Sequence, residues 1–411
     1  MLKSHMSKLK SLLTSILLSS FIYLEYFNLT SNILNTIVAL FAFYLLFTQN
    51  KKELFLTGFI TSILWFWWIG YSFIYYELTY LIPIVLISIG LLYGLLFFIG
   101  AVVNNIFYKG VYFFIFSYFE PFGFNWFKLE LLFVNSYISI DKITLFSIIL
   151  STVLLIYFLN KNKKLAILIY ISIISSTFIY SSYKTIPNIA QSDLKIELSY
   201  TNIAQDIKWH IGTKEIIISD IFKNIDNAIE EKKDLIIFPE TALPLVLNKQ
   251  ENILSSLIDL SYKINIIVGS LNYKDDLYYN SSYFFKDGNV TIANKVVLVP
   301  FGEAVPLPAK IRNFINDTFY NGAKDYEVAL KPTTFNINGV NFRNAICYEA
   351  TTDKVYEKLD ADYIVAISNN AWFTPSHQPT LQKLLLKYFA KKYNVVIYSV
   401  TNRSGSDIIK P

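Results

Sequence analysis

Apolar residues are distributed so unevenly along this chain that they divide it into two regions of different kinds. From Leu12 to Tyr183 the sequence is a succession of long apolar segments, whereas from Asn188 to Pro411 short apolar runs alternate with polar residues. The mean hydropathy of +0.40 is too high for one ordinary soluble domain. We therefore predict a bundle of transmembrane α-helices over residues 1–187 and a separate α/β domain over residues 188–411.

The first region contains about seven segments that we predict to cross a membrane as helices. Most of them approach the about 20 apolar residues that span the hydrocarbon core, and the fifth is the weakest. A cleavable signal peptide is the alternative for the first segment, but no small-residue cleavage site follows it. The predicted spans are Leu12–Phe27, Ile33–Phe47, Leu54–Tyr76, Tyr80–Val103, Ile106–Tyr118, Ile143–Leu159 and Leu165–Tyr183.

The lysines between these segments indicate the orientation of the helices. Connections on one side carry lysines, whereas Asn28–Asn32 and Glu77–Thr79 on the other side carry neither lysine nor arginine. Because positively charged loops stay in the cytoplasm, we predict a cytoplasmic N-terminus and place everything after Tyr183 outside. Lys128 and Lys142 weaken the pattern in the external loop. The lysines assigned to the cytoplasmic side are Lys3, Lys8, Lys10, Lys51, Lys52, Lys109, Lys161, Lys163 and Lys164.

Composition argues against several kinds of site. The net charge of +5 comes from scattered lysines rather than a basic stripe, so we expect no nucleic-acid partner. The single cysteine, Cys347, rules out an intramolecular disulfide. Three histidines without ligand spacing predict no metal site, and we expect no cofactor. We expect His210 and His377 to lie at the surface or in loops.

Short apolar runs bounded by turn residues predict buried strands in the second region, with helices between several of them. Asp287-Gly288 is typical of a hairpin turn. This alternation predicts an α/β sandwich. The predicted strands are Leu235–Phe238, Ile264–Val268, Val296–Val299, Ala345–Cys347, Tyr363–Ile367 and Val395–Tyr398, and the predicted helices are Lys214–Lys232, Ile253–Lys263 and Gln378–Tyr393.

Three of these strands carry side chains suited to catalysis at their ends. The run LIIFPE ends at Glu240, the run KVVLVPFGE extends from Lys295 to Glu303, and the run NAICYE contains Cys347. Together they resemble the Glu–Lys–Cys catalytic set of the nitrilase superfamily. With several predicted spans in front, the chain looks like a member of the apolipoprotein N-acyltransferase family.

The resemblance covers nearly the whole chain and implies a nitrilase-like α-β-β-α sandwich behind the helix bundle. Further motifs that carry it are Pro239–Ala242, Lys295–Pro306, Asn370–Phe373 and Thr401-Asn402. The family usually continues past the Thr-Asn motif with a final membrane helix, so a chain ending at Pro411 is expected to lack that span. Two further departures are Phe389–Lys392, where the family has an Arg-Ala pair followed by glutamate, and Asn370, where aspartate is more usual.

The resemblance implies that Cys347 is the nucleophile, that Glu240 is its general base and that the reaction passes through a thioester. Lys295 and the main-chain N–H of Tyr348 are expected to stabilise the oxyanion. Glu303 and Glu349 are expected to orient Lys295 or the entering amine. Trp209, Trp372 and the aromatic residues of 120–126 are candidates for lining or gating the substrate entry.

The resemblance also implies the substrates and the location. The acyl donor would be a membrane phospholipid such as phosphatidylethanolamine, and the acceptor the α-amine of the diacylglyceryl-cysteine of an apolipoprotein. Surrounding lipids would be further partners. The protein would be a multi-pass protein of the bacterial inner membrane, with its catalytic domain on the periplasmic side.

Other readings of the same residues remain open. A single cysteine in a strand, such as Cys347, is usually a buried packing residue. Glu240, which follows a proline, could cap a following helix. Glu349 fits a structural ion pair with a lysine as well as a catalytic role. The rival functions are a membrane-tethered amidase or nitrilase acting on a small C–N substrate, and an inactive lipid- or lipoprotein-binding protein. A transporter is less well supported, because the predicted spans hold almost no central charge.

Overall fold

The computed structural model describes residues 2–184, 189–319, 322 and 325–411. The predicted boundary at residues 187 and 188 lies outside these described ranges. The chain divides into two compact units. The first comprises Met1–Pro121, Trp126–Ile186 and Pro375–Tyr388, and the second comprises Phe122–Asn125, Pro187–Thr374 and Phe389–Pro411. Each unit therefore includes a short segment that the sequence would assign to the other region.

Each predicted span coincides with a helix of the first unit. Polar residues fix where several of them begin: Asn50 and Glu53 form a reciprocal capping box, and Asn105, Asp141 and Asn162 accept main-chain N–H groups of the turns that follow. The helices are α1 (Leu2–Tyr26), α2 (Asn32–Phe47), α3 (Lys51–Phe66), α4 (Ile82–Ile99), α5 (Ile106–Phe116), α6 (Lys142–Leu159) and α7 (Lys163–Tyr183).

Four helical stretches of the described chain are long and apolar enough to cross a membrane. They are Lys51–Tyr76, Thr79–Ile99, Lys142–Leu159 and Lys163–Tyr183. The first of them consists of α3 and the 3₁₀ helix that follows it. Helices α1, α2 and α5 fall outside this set, and α5 has only 11 residues, about 16 Å of helix. The first region is thus helical and apolar as predicted, while the number of crossings and their orientation remain predictions.

The two lysines that weaken the charge pattern of the loop 120–142 are both paired with carboxylates. Lys128 Nζ lies 2.9 Å from Glu120 Oε1, and Lys142 forms an ion pair with the buried Glu130. Their charges are therefore offset locally.

The second unit contains two five-stranded sheets. In the first sheet β1, β2 and β3 are parallel and β4 and β5 follow as antiparallel hairpins. In the second, β7, β8 and β9 are parallel, with β6 and β10 antiparallel at the edges. The strands are β1 (Ile196–Leu198), β2 (Leu235–Ile237), β3 (Asn265–Lys274), β4 (Leu277–Lys286), β5 (Asn289–Asn294), β6 (Thr334–Ile337), β7 (Val340–Ile346), β8 (Tyr363–Asn369), β9 (Val396–Asn402) and β10 (Asp407–Ile409).

Period-two alternation builds the layers of this unit. Leu235 and Ile237 of β2 point into the core between the sheets, whereas Ile236 and Phe238 point into the core under the helices α8 (Ile211–Glu230) and α9 (Glu251–Leu260). On the second sheet, Tyr356 of α11 (Asp353–Tyr356) stacks on Phe389 and Tyr393 at the end of α12 (Gln378–Tyr393). The α/β sandwich expected from the resemblance is confirmed.

The hairpin turn at Asp287-Gly288 is also confirmed. Both residues have positive φ, 49° and 75°, and they join β4 to β5. This backbone matches the twist of a two-residue hairpin. Asp275-Asp276 makes a similar turn between β3 and β4, which the sequence analysis missed.

One expectation about local structure is wrong. Val296–Val299 is not a strand, because side-chain carboxylates take its main-chain donors: Glu349 accepts from Val296 and Val297, and Glu303 accepts from Val299. His377 lies in the loop before α12, which is one of the two expected placements, and it is 1% exposed, with Nε2 3.1 Å from the carbonyl oxygen of Trp65. The helix α10 (Ala309–Phe319) was also not foreseen.

Candidate active site

Three chain segments bring Glu240, Lys295 and Cys347 together in the second unit. Glu240 follows β2, Lys295 follows β5 and Cys347 follows β7. Lys295 Nζ lies 3.7 Å from Glu240 Oε1, and the Cys347 thiol hydrogen-bonds to the Glu240 carboxylate. Strands β2 and β7 both run within parallel parts of their sheets. Glu240 and Cys347 therefore lie at carboxyl ends of parallel strands, where α/β folds commonly place functional groups.

Cys347 is held in a strained backbone conformation. Its φ is +56°, in the left-handed region that non-glycine residues rarely adopt, and it begins a short 3₁₀ turn to Thr351. Strain of this kind costs about 1–3 kcal/mol and is found preferentially at functional sites. The residue is partly buried and packs against the core between the two sheets.

Glu349 holds this turn through both of its carboxylate oxygens. The side chain is 2% exposed. Oε1 accepts the N–H of Ile346 at 2.7 Å, and Oε2 accepts the N–H groups of Val296 at 2.6 Å and Val297 at 3.2 Å. One carboxylate therefore ties the residue before Cys347 to the residues after Lys295. Burial raises the pKa of Glu349 to about 7, although Lys295 and the three N–H groups act in the opposite direction.

Both carboxylate oxygens of Glu240 are oriented by hydrogen bonds. Oε1 accepts from Nδ2 of Asn280 at 2.7 Å, and Oε2 accepts the main-chain N–H of Asn369 at 2.8 Å. These bonds come from both sheets, through β4 and β8. They fix Glu240 beside the Cys347 thiol with little freedom to rotate.

Lys295 is completely buried and ion-paired. Its Nζ lies 2.7 Å from Glu303 Oε2 and 2.9 Å from Glu303 Oε1. Glu303 is itself held by the N–H of Val299 at 2.9 Å and by Asn280 Nδ2 at 3.0 Å. Both oxygens of Glu303 thus contact Lys295, and Asn280 bridges the two carboxylates.

The charges in this cluster have opposite effects on Lys295 and Cys347. Burial alone would lower the pKa of Lys295, but Glu303, Glu240 and Cys347 outweigh it and raise the pKa. Burial and the charge of Glu240 raise the pKa of the Cys347 thiol, and Lys295 only partly offsets them. At neutral pH the cluster therefore favours a cationic lysine and a protonated thiol.

Tyr348 is fixed by a segment from the first sequence region. Its hydroxyl donates to the carbonyl oxygen of Gly123 at 2.8 Å and accepts the N–H of Asn125 at 3.1 Å, and its ring stacks on Phe124 with 5° between the planes. Asn125 Nδ2 also donates to the carbonyl oxygen of Thr351 at 2.6 Å. Residues 122–125 therefore brace both ends of the turn that starts at Cys347.

The aromatic residues expected at the substrate entry lie in different places. Trp209 is 37% exposed. Trp372 is partly exposed and lies three residues after Asn369, the last residue of β8, whose N–H binds Glu240. Trp126 is buried in the first unit, where its ring lies 5.4 Å from that of Trp68. Phe124 stacks on Tyr348, and Phe122 is 53% exposed. A role of these aromatic residues, of Trp209 and of Trp372 at the substrate entry stays a prediction.

Three groups at this site were not predicted from the sequence: Asn280, Asn369 and Lys208. Lys208 is buried and donates to the hydroxyl of Thr241 at 2.9 Å. The signal available was a polar residue inside an apolar run, as in YYNSSYFF for Asn280 and VAISNN for Asn369. Among the described residues, no group of three or more His, Cys, Asp or Glu side chains is arranged to hold a metal ion.

Comparison with known proteins gives matches in both halves of the chain. Residues 5–178 match the model of the apolipoprotein N-acyltransferase integral membrane domain, and residues 205–408 match that of carbon-nitrogen hydrolase. An apolipoprotein N-acyltransferase of Wolinella succinogenes is 41% identical over 98% of this chain and 95% of that protein. Those of Campylobacter jejuni and Helicobacter pylori are 36% and 35% identical, over 98% and 88% of this chain and 89% and 84% of theirs.

Proposed function

The chain belongs to the apolipoprotein N-acyltransferase family, and on that premise we propose that it moves a fatty acyl group from a membrane phospholipid to the α-amine of a diacylglyceryl apolipoprotein. The observation that carries this proposal is the hydrogen bond of the Cys347 thiol to Glu240, beside the fully buried Lys295. A thiol, a base and a fixed cation are the groups that a two-step acyl transfer needs.

In the first step Cys347 Sγ attacks the ester carbonyl of the donor while its proton passes to Glu240. Lys295 and the N–H of Tyr348 stabilise the negative charge on the carbonyl oxygen. The C–O bond then breaks, Glu240 returns the proton to the departing lysophospholipid alcohol, and a Cys347 thioester remains.

In the second step the free amine of the acceptor attacks the thioester carbonyl. Glu240 accepts a proton from the amine, the C–S bond breaks, and the proton returns to the Cys347 sulfur. Because the pKa of the thiol is raised, the sulfur is protonated in the resting enzyme. Glu240 therefore has to transfer a proton in both half-reactions.

Both substrates are membrane-bound, which accounts for a thiol enzyme attached to an apolar helical region. We propose phosphatidylethanolamine as donor, the bacterial inner membrane as location and the periplasm as the side of the second unit. The last assignment rests on the lysine distribution between the helices.

The test is transfer in proteoliposomes that contain the full chain, phosphatidylethanolamine with labelled acyl chains and a synthetic diacylated lipopeptide. The proposal predicts a labelled triacylated lipopeptide by mass spectrometry and none with Cys347→Ser. Repeating the assay with phosphatidylglycerol and with a lipopeptide whose amine is acetylated tests donor and acceptor separately.

A wild-type protein that folds and makes no triacylated product would contradict the proposal. Release of ammonia from small amides by the same preparation, lost in Cys347→Ser, would instead establish the tethered amidase. Cys347→Ser should keep the melting temperature of the wild type, because the substitution changes one atom.

A further inference from the structure

Lys208 is a fully buried lysine at this site that neither step described above uses. It is 1% exposed. Its Nζ donates to the Thr241 hydroxyl at 2.9 Å and to the main-chain carbonyl of Glu240 at 3.4 Å. In the described part of the chain Lys208 has no ion-pair partner within 4.0 Å. A buried cation without a close counter-ion is costly, so packing alone does not explain a lysine here.

The turn that receives these hydrogen bonds is strained. Thr241 has a φ of +46°, an unfavourable value for a β-branched residue. Strand β3 approaches the turn closely: a Cβ atom on Gly269 would lie 2.5 Å from Pro239 O and 2.6 Å from Thr241 N. The turn is therefore held by the close approach of Gly269 and by the hydrogen bonds of Lys208. Both act on the residues that set the direction of the Glu240 side chain.

The charge of Lys208 also acts on Glu240. Burial lowers the pKa of Lys208 to about 8, and the charge of Glu240 acts in the opposite direction. Lys208 therefore remains largely protonated at neutral pH. The other charged or titratable groups facing Glu240 are Lys295, Cys347 and, through the shared Asn280, Glu303.

A second contact ties the same segment to Glu240. Gln205 Oε1 accepts from Nδ2 of Asn369 at 2.9 Å, and the N–H of Asn369 binds Glu240 Oε2 at 2.8 Å. The segment from Gln205 to Lys208 thus reaches the base at two points. Trp209, the next residue, is 37% exposed.

We propose that Lys208 is a positioning residue for Glu240: it holds the Glu240-Thr241 turn in place, and its positive charge stabilises the ionised carboxylate that receives the proton of Cys347. This inference rests on the proposed role of Glu240 as the base. It requires both the ammonium group and its hydrogen-bond acceptor on Thr241.

The experiment measures alkylation of Cys347 by iodoacetamide between pH 5 and 9 in the full-length protein. In this reaction sulfur displaces iodide and the thiol proton is lost, so the rate reports the Glu240–Cys347 pair without any phospholipid. The variants are Lys208→Met, which removes the charge and keeps the volume, Thr241→Val and Thr241→Ser. Lys233→Met is the matched control, because Lys233 pairs only with Glu197 and Glu231 in the described chain, away from Glu240.

Lys208→Met should slow alkylation at pH 7 by about 10- to 100-fold, the loss expected from a misplaced base. It should also move the acidic limb of the profile upward by about one pH unit, because a carboxylate that loses a nearby cation holds its proton more tightly. Thr241→Val should slow the rate with a smaller displacement of the limb, and Thr241→Ser should restore it. Lys233→Met should behave as wild type.

Wild-type rates and an unshifted limb in a folded Lys208→Met protein would overturn the inference, as would rate losses that merely follow a lower melting temperature. If Lys208→Met does not fold, wild-type alkylation in Thr241→Val overturns it. If the alkylation rates of the variants follow the predicted pattern but the wild-type protein never forms an acyl-enzyme, the proposed function is wrong and the inference about Lys208 and Glu240 stands.

Discussion

Replacing Gly269 by alanine should damage the active site without touching any group that reacts. A Cβ atom at this position would lie 2.5 Å from Pro239 O, 2.6 Å from Thr241 N and 2.7 Å from Glu240 Cα. All three are backbone atoms of the turn that carries Glu240, so no flexible side chain can move aside.

The size of the effect follows from these distances. Widening the 2.5 Å approach to an ordinary contact of 3.4 Å requires a displacement of about 0.9 Å, shared between β3 and the turn. Overpacking of this kind costs about 1–3 kcal/mol of stability. A misplacement of about 1 Å in a catalytic group costs about 100-fold in rate. Because β3 is paired on both sides, whereas the turn is not part of a strand, we expect most of the displacement to fall on Glu240.

The assay is single-turnover acylation of Cys347 by a phospholipid with labelled acyl chains, together with the melting temperature. Gly269→Ala should acylate about 30- to 100-fold more slowly while retaining a cooperative unfolding transition. Gly212→Ala is the matched control, because a Cβ atom there meets nothing within 4 Å and alanine favours helix. Wild-type acylation by a folded Gly269→Ala protein would refute the claim that the position of this turn limits the reaction.

Three further substitutions test other parts of the site. Asn125→Ala removes a brace on the turn that starts at Cys347 and should slow single-turnover acylation about tenfold, with less effect on donor affinity. Asn280→Asp places a third negative charge between Glu240 and Glu303, and the rate of Cys347 alkylation at pH 7 should fall because the thiol holds its proton more tightly. Glu349→Gln turns an amide N–H toward main-chain donors and should lower the stability by about 1–3 kcal/mol, measured as melting temperature. Because burial raises the pKa of Glu349 to about 7, ionising it opposes folding, so the wild-type melting temperature should fall from pH 5 to pH 8 with a slope that Glu349→Gln reduces.

The sequence was sufficient for features that depend on local pattern or strand order. Strand β2 is a short apolar run that ends three residues before Glu240, and β7 ends directly before Cys347. The turn at Asp287-Gly288 has a residue pair that favours positive φ. In these places the local preference and the final fold agree.

The rest depends on contacts between residues far apart in sequence. The apolar run Val296–Val299 reads as a strand, yet its N–H groups bind the carboxylates of Glu303 and Glu349. His377 lies in a polar stretch typical of a loop, but it packs against the rings of Tyr23 and Trp67.

Neither outcome has a local signature, because each depends on which distant segment arrives as partner. The same reason hides the role of Asn125, whose contact with Thr351 spans 226 positions of the chain.

The central claim is that Cys347 carries the acyl group between donor and acceptor. The most direct measurement is mass spectrometry of the intact protein and of its Cys347 peptide after exposure to a phospholipid of defined acyl chains. The account predicts one fatty-acyl mass on that peptide, released by neutral hydroxylamine, lost on addition of a diacylated lipopeptide and absent in Cys347→Ser. A folded wild-type protein that transfers the acyl chain with no adduct on Cys347, or with an equal adduct in Cys347→Ser, would contradict it.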